Sequence, residues 1–342
     1  MRRVEDGKIL TRAEAEEAME AILSGHASTP DIVGLLRGMN ARPVQAQELA
    51  GFAFTMRRHA APIFSDEQPR PTHLIDTCGT GGDGCDTFNI STAAAIVAAA
   101  AGAAVAKHGN RAASSRCGSA DVLEALSVRV DLPLRRCGEA IRELGLGFIF
   151  APAAHGAMRH ALEARKQIGV RTVFNLLGPL TNPVGAHAQL AGVYSSAVLD
   201  VMAATLAELG VPRAFVVHGA DGLDEISLSG ETAVAEVQNG AVRRFTLTPE
   251  NFGVSRAPLE ALRGGDAADN AALIRGVLAN EPGPRRDIAV INAGAALVIA
   301  GVALDFHEGA RLAAGAISSG AARQKLAALV KFSNQSFIAE EN

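Results

Sequence analysis

Residues 76–92 read Asp76-Thr77-Cys78-Gly79-Thr80-Gly81-Gly82-Asp83-Gly84-Cys85-Asp86-Thr87-Phe88-Asn89-Ile90-Ser91-Thr92. Glycines at 79, 81, 82 and 84 let backbone amides converge on an anion and let a ligand come close. Asn89, Ser91 and Thr92 fall where a helix begins, and free amides there favour a phosphate. Lys107, in the loop Lys107-His108-Gly109-Asn110-Arg111 after the next strand, adds a charge-assisted contact. Asp224-Glu225 stands behind a second glycine turn, His218-Gly219-Ala220-Asp221-Gly222-Leu223. Adjacent carboxylates there suit a hard divalent ion such as Mg2+ bridging to ligand phosphates. Taken singly, the first run is also a glycine turn capped by Ser91, and the acidic pair a solvated turn. The run is neither the Walker pattern, because no Gly-Lys-Ser/Thr follows, nor the dinucleotide fingerprint.

A second ligand has candidate contacts in His108, Asn110, His155 and Arg165. The arginine can hold a carboxylate bidentately, and it reads equally as a helix-surface residue in Leu162-Glu163-Ala164-Arg165-Lys166. Ser119 reads as a helix cap. Cys78 and Cys85 flank the glycines with no base beside them, so they read as packing residues.

The elements that must carry these groups come in two blocks. Residues 1–70 show helical periodicity and no strand alternation: Thr11 with Glu14 caps a helix over 12–23, Thr29-Pro30-Asp31 starts another, and 45–58 is a third. A proline-bearing linker spans 64–71. From His73 onward short apolar strands alternate with helices, which predicts an α/β domain over 71–342. The strands fall at 73–76, 103–106, 148–150, 190–194 and 214–218. Asn239-Gly240 between two further runs predicts an antiparallel hairpin. The chain closes with helices at 271–278, 288–300, 306–317 and 321–332.

Composition narrows the partners. The 342 residues are 48% hydrophobic and 20% charged, with a net charge of −4, which fits a folded protein and gives nucleic acid no basic face. Four cysteines match no zinc spacing and read as reduced thiols of a cytoplasmic protein. The apolar stretches 93–106 and 288–300 are too short to span a membrane. With no tryptophan and one tyrosine, Tyr194, a base-stacking platform is not expected.

The motifs in order resemble the anthranilate phosphoribosyltransferase family of tryptophan biosynthesis. The resemblance rests on residues 78–84, 87–92 and 107–111, then Gly118-Ser119-Ala120-Asp121-Val122-Leu123-Glu124-Ala125-Leu126. It continues through Gly169-Val170-Arg171-Thr172-Val173-Phe174-Asn175-Leu176-Leu177-Gly178-Pro179-Leu180-Thr181-Asn182-Pro183, Asp224-Glu225 and Gly264-Gly265-Asp266. It implies a small helical domain (1–70) that forms a homodimer, joined to a large α/β domain (71–342) with a mixed, mostly parallel sheet, from which about 165–190 can return to the helical domain. It also implies transfer of a phosphoribosyl group to the amine of anthranilate. Phosphoribosyl pyrophosphate would contact Gly79, Gly82, Asp83, Thr87, Asn89, Ile90, Ser91, Thr92, Lys107, His108, Gly109, Asn110, Arg111, Ala112, Ala113, Ser114, Ser115 and Ser119. Anthranilate would contact Gly79, Asn110, Arg165, His108 and His155, and Ser91, Asp224 and Glu225 would hold Mg2+. No nucleophile and no essential general base is expected. A pyrimidine nucleoside phosphorylase and a non-enzymatic nucleic-acid-binding relative are the competing readings. The family usually has proline after the histidine where this chain has Gly156.

Overall fold

Short, mostly apolar runs build one seven-stranded sheet, seen in a computed structural model that describes residues 4, 7–64, 69–112 and 115–335. Its strands are β1 (Leu74–Asp76), β2 (Ala104–Gly109), β3 (Leu146–Phe150), β4 (Ala188–Gly192), β5 (Arg213–Gly219), β6 (Thr232–Gln238) and β7 (Ala241–Leu247), in the order β3-β2-β1-β4-β5-β6-β7. The first five are parallel and the last two antiparallel. The expected mixed, mostly parallel sheet is therefore present, as is the hairpin, with Asn239 and Gly240 both at positive φ. The chain leaves β1 in one direction to β2 and β3, then returns to β1's other side for β4 and β5. This reversal makes a crevice at the carboxyl ends of β1 and β4.

The period-2 alternation of strands sends side chains into different cores. On β5, Phe215 and Val217 join the larger core, whereas Ala214 and Val216 join a second one. The larger core is covered by α4 (Ile90–Ala100), α11 (Ala267–Leu278), α12 (Pro284–Ala300), α13 (Phe306–Ser318) and α14 (Ala321–Ser333). Helix α12 is buried from Ile288 through Ala300. It approaches α13 closely because a Cβ on Gly294 would lie 2.8 Å from the Ala310 nitrogen.

The second core joins the N-terminal helices α1 (Arg12–Leu23), α2 (Thr29–Asn40) and α3 (Ala46–His59) to α8 (Leu162–Ile168), α9 (Phe174–Leu177) and α10 (Leu199–Glu208). Thr11 and Glu14 form the expected capping box, and α2 starts at Thr29 as expected, capped by Ser28. Phe52 of α3 meets Phe174 of α9 edge-on at 6.5 Å. Three polar links cross the same boundary: Asn40 Nδ2 donates to the Arg171 carbonyl at 2.8 Å, Arg57 Nε to Leu180 at 2.7 Å, and Arg12 to Glu208 at 3.4 Å. The remaining helices are α5 (Ser119–Ala125), α6 (Leu134–Leu144) and α7 (Ala151–Ala154).

Candidate functional site

The loop after β1 and the segment after β5 meet in the crevice. Thr80 donates its amide to the Gly192 carbonyl at 2.9 Å, and Gly81 donates to Asp224 Oδ2 at 2.8 Å. Asp83 completes the link, accepting from Asp224 N at 3.2 Å and from Cys85 N at 3.1 Å. The packing leaves no room for a side chain at the end of β4, since a Cβ on Gly192 would lie 1.5 Å from the Asp224 carbonyl oxygen. The amides of Gly79, Gly82, Asp83 and Gly84 donate to no acceptor among the described residues. They are the free donors an anion cradle needs.

Downstream, Phe88 N bonds to the Leu262 carbonyl at 3.0 Å and Gly264 N to the Asp86 carbonyl at 2.8 Å, while Thr87 bridges to Arg263. The Gly264-Gly265-Asp266 turn thus braces the end of the loop, and Asp266 caps α11. Asn89 accepts from Asn270 at 3.0 Å and donates to the Cys117 carbonyl at 3.2 Å. Helix α4 begins at Ile90 behind Asn89, so Ser91 and Thr92 sit in its first turn.

Lys107 requires a correction. The sequence reading placed Lys107, His108 and Gly109 in a loop, but β2 continues through Gly109, held by parallel pairing with β3 out to Gly109↔Phe150. Lys107 is therefore a buried strand residue, and its ammonium reaches the Thr77 carbonyl at 2.9 Å and Ser91 Oγ at 3.1 Å. Ser91 and Lys107 both lie near enough to Glu225 to favour its ionised form. Lys107, Ser91, Asp83, Asp224 and Glu225 accordingly form one connected cluster.

Burial, with Asp83 close by, raises the Glu225 carboxyl to about 7, although Lys107 and Ser91 oppose the shift. Burial and the neighbouring Asp83 and Glu225 raise Asp224 well above the ordinary range. Such mutual repulsion marks a set of oxygen donors lacking a counter-charge. Among the described residues no three acidic, histidine or cysteine side chains close into a complete metal cage. Asn292, on α12, fixes the backbone just past the acidic pair: its Oδ1 accepts from Ile226 N at 2.9 Å and its Nδ2 donates to Ile226 O at 3.0 Å.

A second polar cluster lies behind β1 and β2. Asp76 is buried with Oδ1 accepting from His108 N at 3.2 Å and Oδ2 unpartnered, and burial lifts its carboxyl to about 6. His108 Nδ1 lies 3.1 Å from the Gly178 carbonyl, which must be the acceptor, so Nε2 carries the lone pair. The His155 ring stands edge-on to His108 at 5.3 Å. Both Nε2 atoms are buried without partners. Burial pushes His108 down to about 3 and His155 to about 4.

An NMR titration from pH 8 to pH 5 should therefore leave both rings neutral. Protonation of either ring at pH 6 would contradict the geometry. Because the folded state holds these bases neutral, they penalise folding increasingly as pH falls from about 6.5 towards 3.

The other expected contacts scatter. Arg111 pairs with Glu124 at 2.6 Å and Asp121 at 3.2 Å, and so lies along α5. Ala112 N donates to Asp121 at 2.9 Å, Ser115 Oγ to the Cys117 carbonyl at 3.4 Å, and Ser119 Oγ to the Asn110 carbonyl at 3.3 Å. Asn110 Oδ1 accepts from Arg111 N at 2.8 Å. Ala113 and Ser114 lie outside the described residues. Arg165 is exposed on α8, its guanidinium makes no ion pair or hydrogen bond among the described residues, and partial desolvation of that group lowers its pKa. Burial raises the thiols of Cys78 and Cys85, the latter to about 12, so both stay protonated.

Comparison with known proteins places this geometry. Residues 71–323 match the glycosyl transferase family a/b domain, and residues 1–60 that family's helical bundle domain. The anthranilate phosphoribosyltransferase of Moorella thermoacetica is 50% identical over 95% of this chain and 94% of its own, and that of Solibacter usitatus 52% identical over 97% of each. The chain belongs to the anthranilate phosphoribosyltransferase family. A solved anthranilate phosphoribosyltransferase from Thermus thermophilus superposes with a TM-score of 0.91 at 48% identity, covering 97% of this chain and 98% of the other. The Saccharomyces cerevisiae enzyme, solved in complex with PRPP and Mg, gives 0.85 at 28% identity, covering 95% and 93%. The same yeast enzyme is also solved with 4-fluoroanthranilate, at a TM-score of 0.84 and 26% identity, covering 95% and 93%.

Within this member of the anthranilate phosphoribosyltransferase family, two side chains at the site, Arg57 and Asn292, stand outside every motif named above, and Arg171 stands within one without an expected role. Arg57 comes from α3, is held down to about 10 by burial, and is attracted by Asp76. A polar residue interrupting an apolar helix was the available signal for Asn292. Arg57 and Arg171 act from elements remote from the glycine loop in sequence, and nothing local announces them.

Proposed function

We propose that this chain transfers the phosphoribosyl group of 5-phosphoribosyl 1-pyrophosphate to the amine of anthranilate, giving N-(5-phosphoribosyl)anthranilate and pyrophosphate. This is the second step from chorismate in tryptophan biosynthesis. The observation that carries it is the meeting of free loop amides, a buried lysine and a repelling acidic pair at one crevice, in a chain about half identical to enzymes of that name.

The donor phosphates lie against the amides of Gly79, Gly82, Asp83 and Gly84 and the first turn of α4, with Lys107 beneath them. Thr87, Asn89 and Ser119 shape the walls, and Asn110, Arg111, Ala112 and Ser115 complete the donor site. The donor set of Ser91, Asp224 and Glu225 fits Mg2+: the oxygens are hard, buried and short of positive charge, and an incomplete cage suits an ion that keeps waters and phosphate oxygens. Bound there, Mg2+ supplies positive charge to the departing pyrophosphate.

The protein's own work is alignment and charge placement. Lys107 and the loop amides stabilise negative charge as the C1–O bond breaks and an oxocarbenium-like ribosyl forms. The amine attacks C1 from the opposite face, inverting the anomeric centre. An aromatic amine is neutral near pH 7, so no strong base is needed. Gly79, Asn110, Arg165, His108 and His155 receive anthranilate, with Arg165 taking the carboxylate. Residues 1–70 act as the dimerisation domain of a cytoplasmic homodimer, and 71–342 as the catalytic domain, with 165–190 returning to the helical side.

The deciding assay is Mg2+-dependent pyrophosphate release from the donor, with and without anthranilate. Release that ignores anthranilate, or phosphorolysis of thymidine in its place, overturns the reading. Arg165→Ala should raise the anthranilate KM about tenfold or more while the donor KM stays put, as expected for a lost charge-assisted contact. An unchanged anthranilate dependence sinks that assignment.

A further inference from the structure

Arg171 reaches the donor loop from the segment after α8. Its guanidinium donates to the Gly82 carbonyl. It also lies over the Tyr194 ring, 3.9 Å from the centroid, and Tyr194 N donates to Thr80 Oγ1 at 3.0 Å in the same loop. The Arg171 carbonyl in turn accepts from Asn40 Nδ2, at the end of α2, at 2.8 Å. One residue thus joins the N-terminal helices to the tip of the glycine loop. The fit is tight: Gly82 has φ +76°, and a Cβ there would lie 2.8 Å from Arg171 Nη2.

The chemical consequence follows from the planarity of the peptide. In a trans peptide the carbonyl and the next N–H point in opposite directions. Holding the Gly82 carbonyl towards Arg171 turns the Asp83 N–H away from it, and that N–H donates to no acceptor among the described residues. We infer that Arg171 is a positioning residue for the phosphoribosyl donor: it sets the Gly82–Asp83 peptide so that the Asp83 amide faces the pyrophosphate, and Asn40 sets Arg171. This rests on the donor-site reading above and adds a residue and a route from the helical layer.

The test uses Arg171→Met, Arg171→Lys, Asn40→Ala and the Arg171→Met/Asn40→Ala pair in the full chain. Arg171 is exposed, so its removal opens no core cavity. Loss of one charged hydrogen bond and one exposed cation–π contact predicts about tenfold weaker phosphoribosyl pyrophosphate binding by calorimetry in Arg171→Met. Asn40→Ala should weaken it about threefold, and the pair should be no worse than Arg171→Met alone, because both act on one peptide. The anthranilate KM should not move, and Arg171→Lys should recover part of the loss, since lysine keeps the donor but not the planar stack.

A purely structural role would instead lower melting temperature and disturb both substrates alike, and that result overturns the inference. Hydrogen exchange of the Gly81 and Cys85 amides, which donate to Asp224 and Asp83 on either side of the Gly82–Asp83 peptide, should quicken about five- to tenfold in Arg171→Met when measured without any ligand. Unchanged exchange overturns the inference even if the wild-type chain binds no donor. Failure of the wild type to bind the donor would instead count against the functional reading.

Discussion

Asp224→Asn combined with Glu225→Gln is expected to remove Mg2+-dependent turnover, a fall of about a thousandfold or more in kcat/KM for the donor. The amides keep the size of the side chains and their hydrogen-bonding capacity, so the loop geometry set by Gly81, Asp83 and Asn292 survives. What disappears is the negative charge that draws the cation. A thousandfold loss corresponds to about 4 kcal/mol of transition-state stabilisation, in keeping with loss of the charge that neutralises a leaving pyrophosphate. The measurement is pyrophosphate release against Mg2+ concentration, with calorimetric Mg2+ binding alongside. A double variant whose Mg2+-dependent rate stays within tenfold of wild type refutes the metal role.

Lys107→Met should cost about a hundredfold in kcat/KM for the donor and leave the anthranilate KM nearly unchanged. Methionine fills the buried aliphatic stem, so the loss reports the ammonium and not a cavity. Lys107 also holds the Glu225 carboxyl down. Without it that carboxyl rises further above about 7, and the acid limb of the rate profile moves to higher pH. The sign follows because metal binding needs the ionised form, and a raised pKa delays ionisation. Steady-state kinetics at pH 6 to 9, varying each substrate in turn, check both parts. An unshifted profile together with an unchanged donor KM would remove Lys107 from the site.

Local chemistry was legible in the sequence wherever one short segment carries it. The Thr11 capping box and the Asn239-Gly240 hairpin each depend on contacts within a few residues, and each appears as read. The glycine run marks a loop by composition alone, while the partners that set its shape, Gly192, Asp224 and Leu262, are remote in sequence. Helix α6 has local signals at both ends: Pro133 precedes it and Gly145 ends it in the left-handed conformation. Strand β2 was cut short because lysine and histidine look like loop residues. Pairing with β3 and burial of the lysine stem overrode that preference. Groups fixed by distant partners were beyond reach. Nothing near Asp76 in sequence indicates a carboxylate with one unpartnered oxygen, and nothing near Arg57 or Arg171 indicates contact with Leu180 or Gly82.

The three crowded carboxylates also bear on how this protein responds to selection. Asp83, Asp224 and Glu225 repel one another in a buried crevice, so the native state is held below the stability its packing would otherwise allow. Neutral substitutions there relieve the repulsion. A directed-evolution campaign rewarding heat resistance alone would be drawn to these positions and would enrich hardy, inactive chains. Thermostable working variants have to be sought elsewhere, and a screen must reward turnover and survival together.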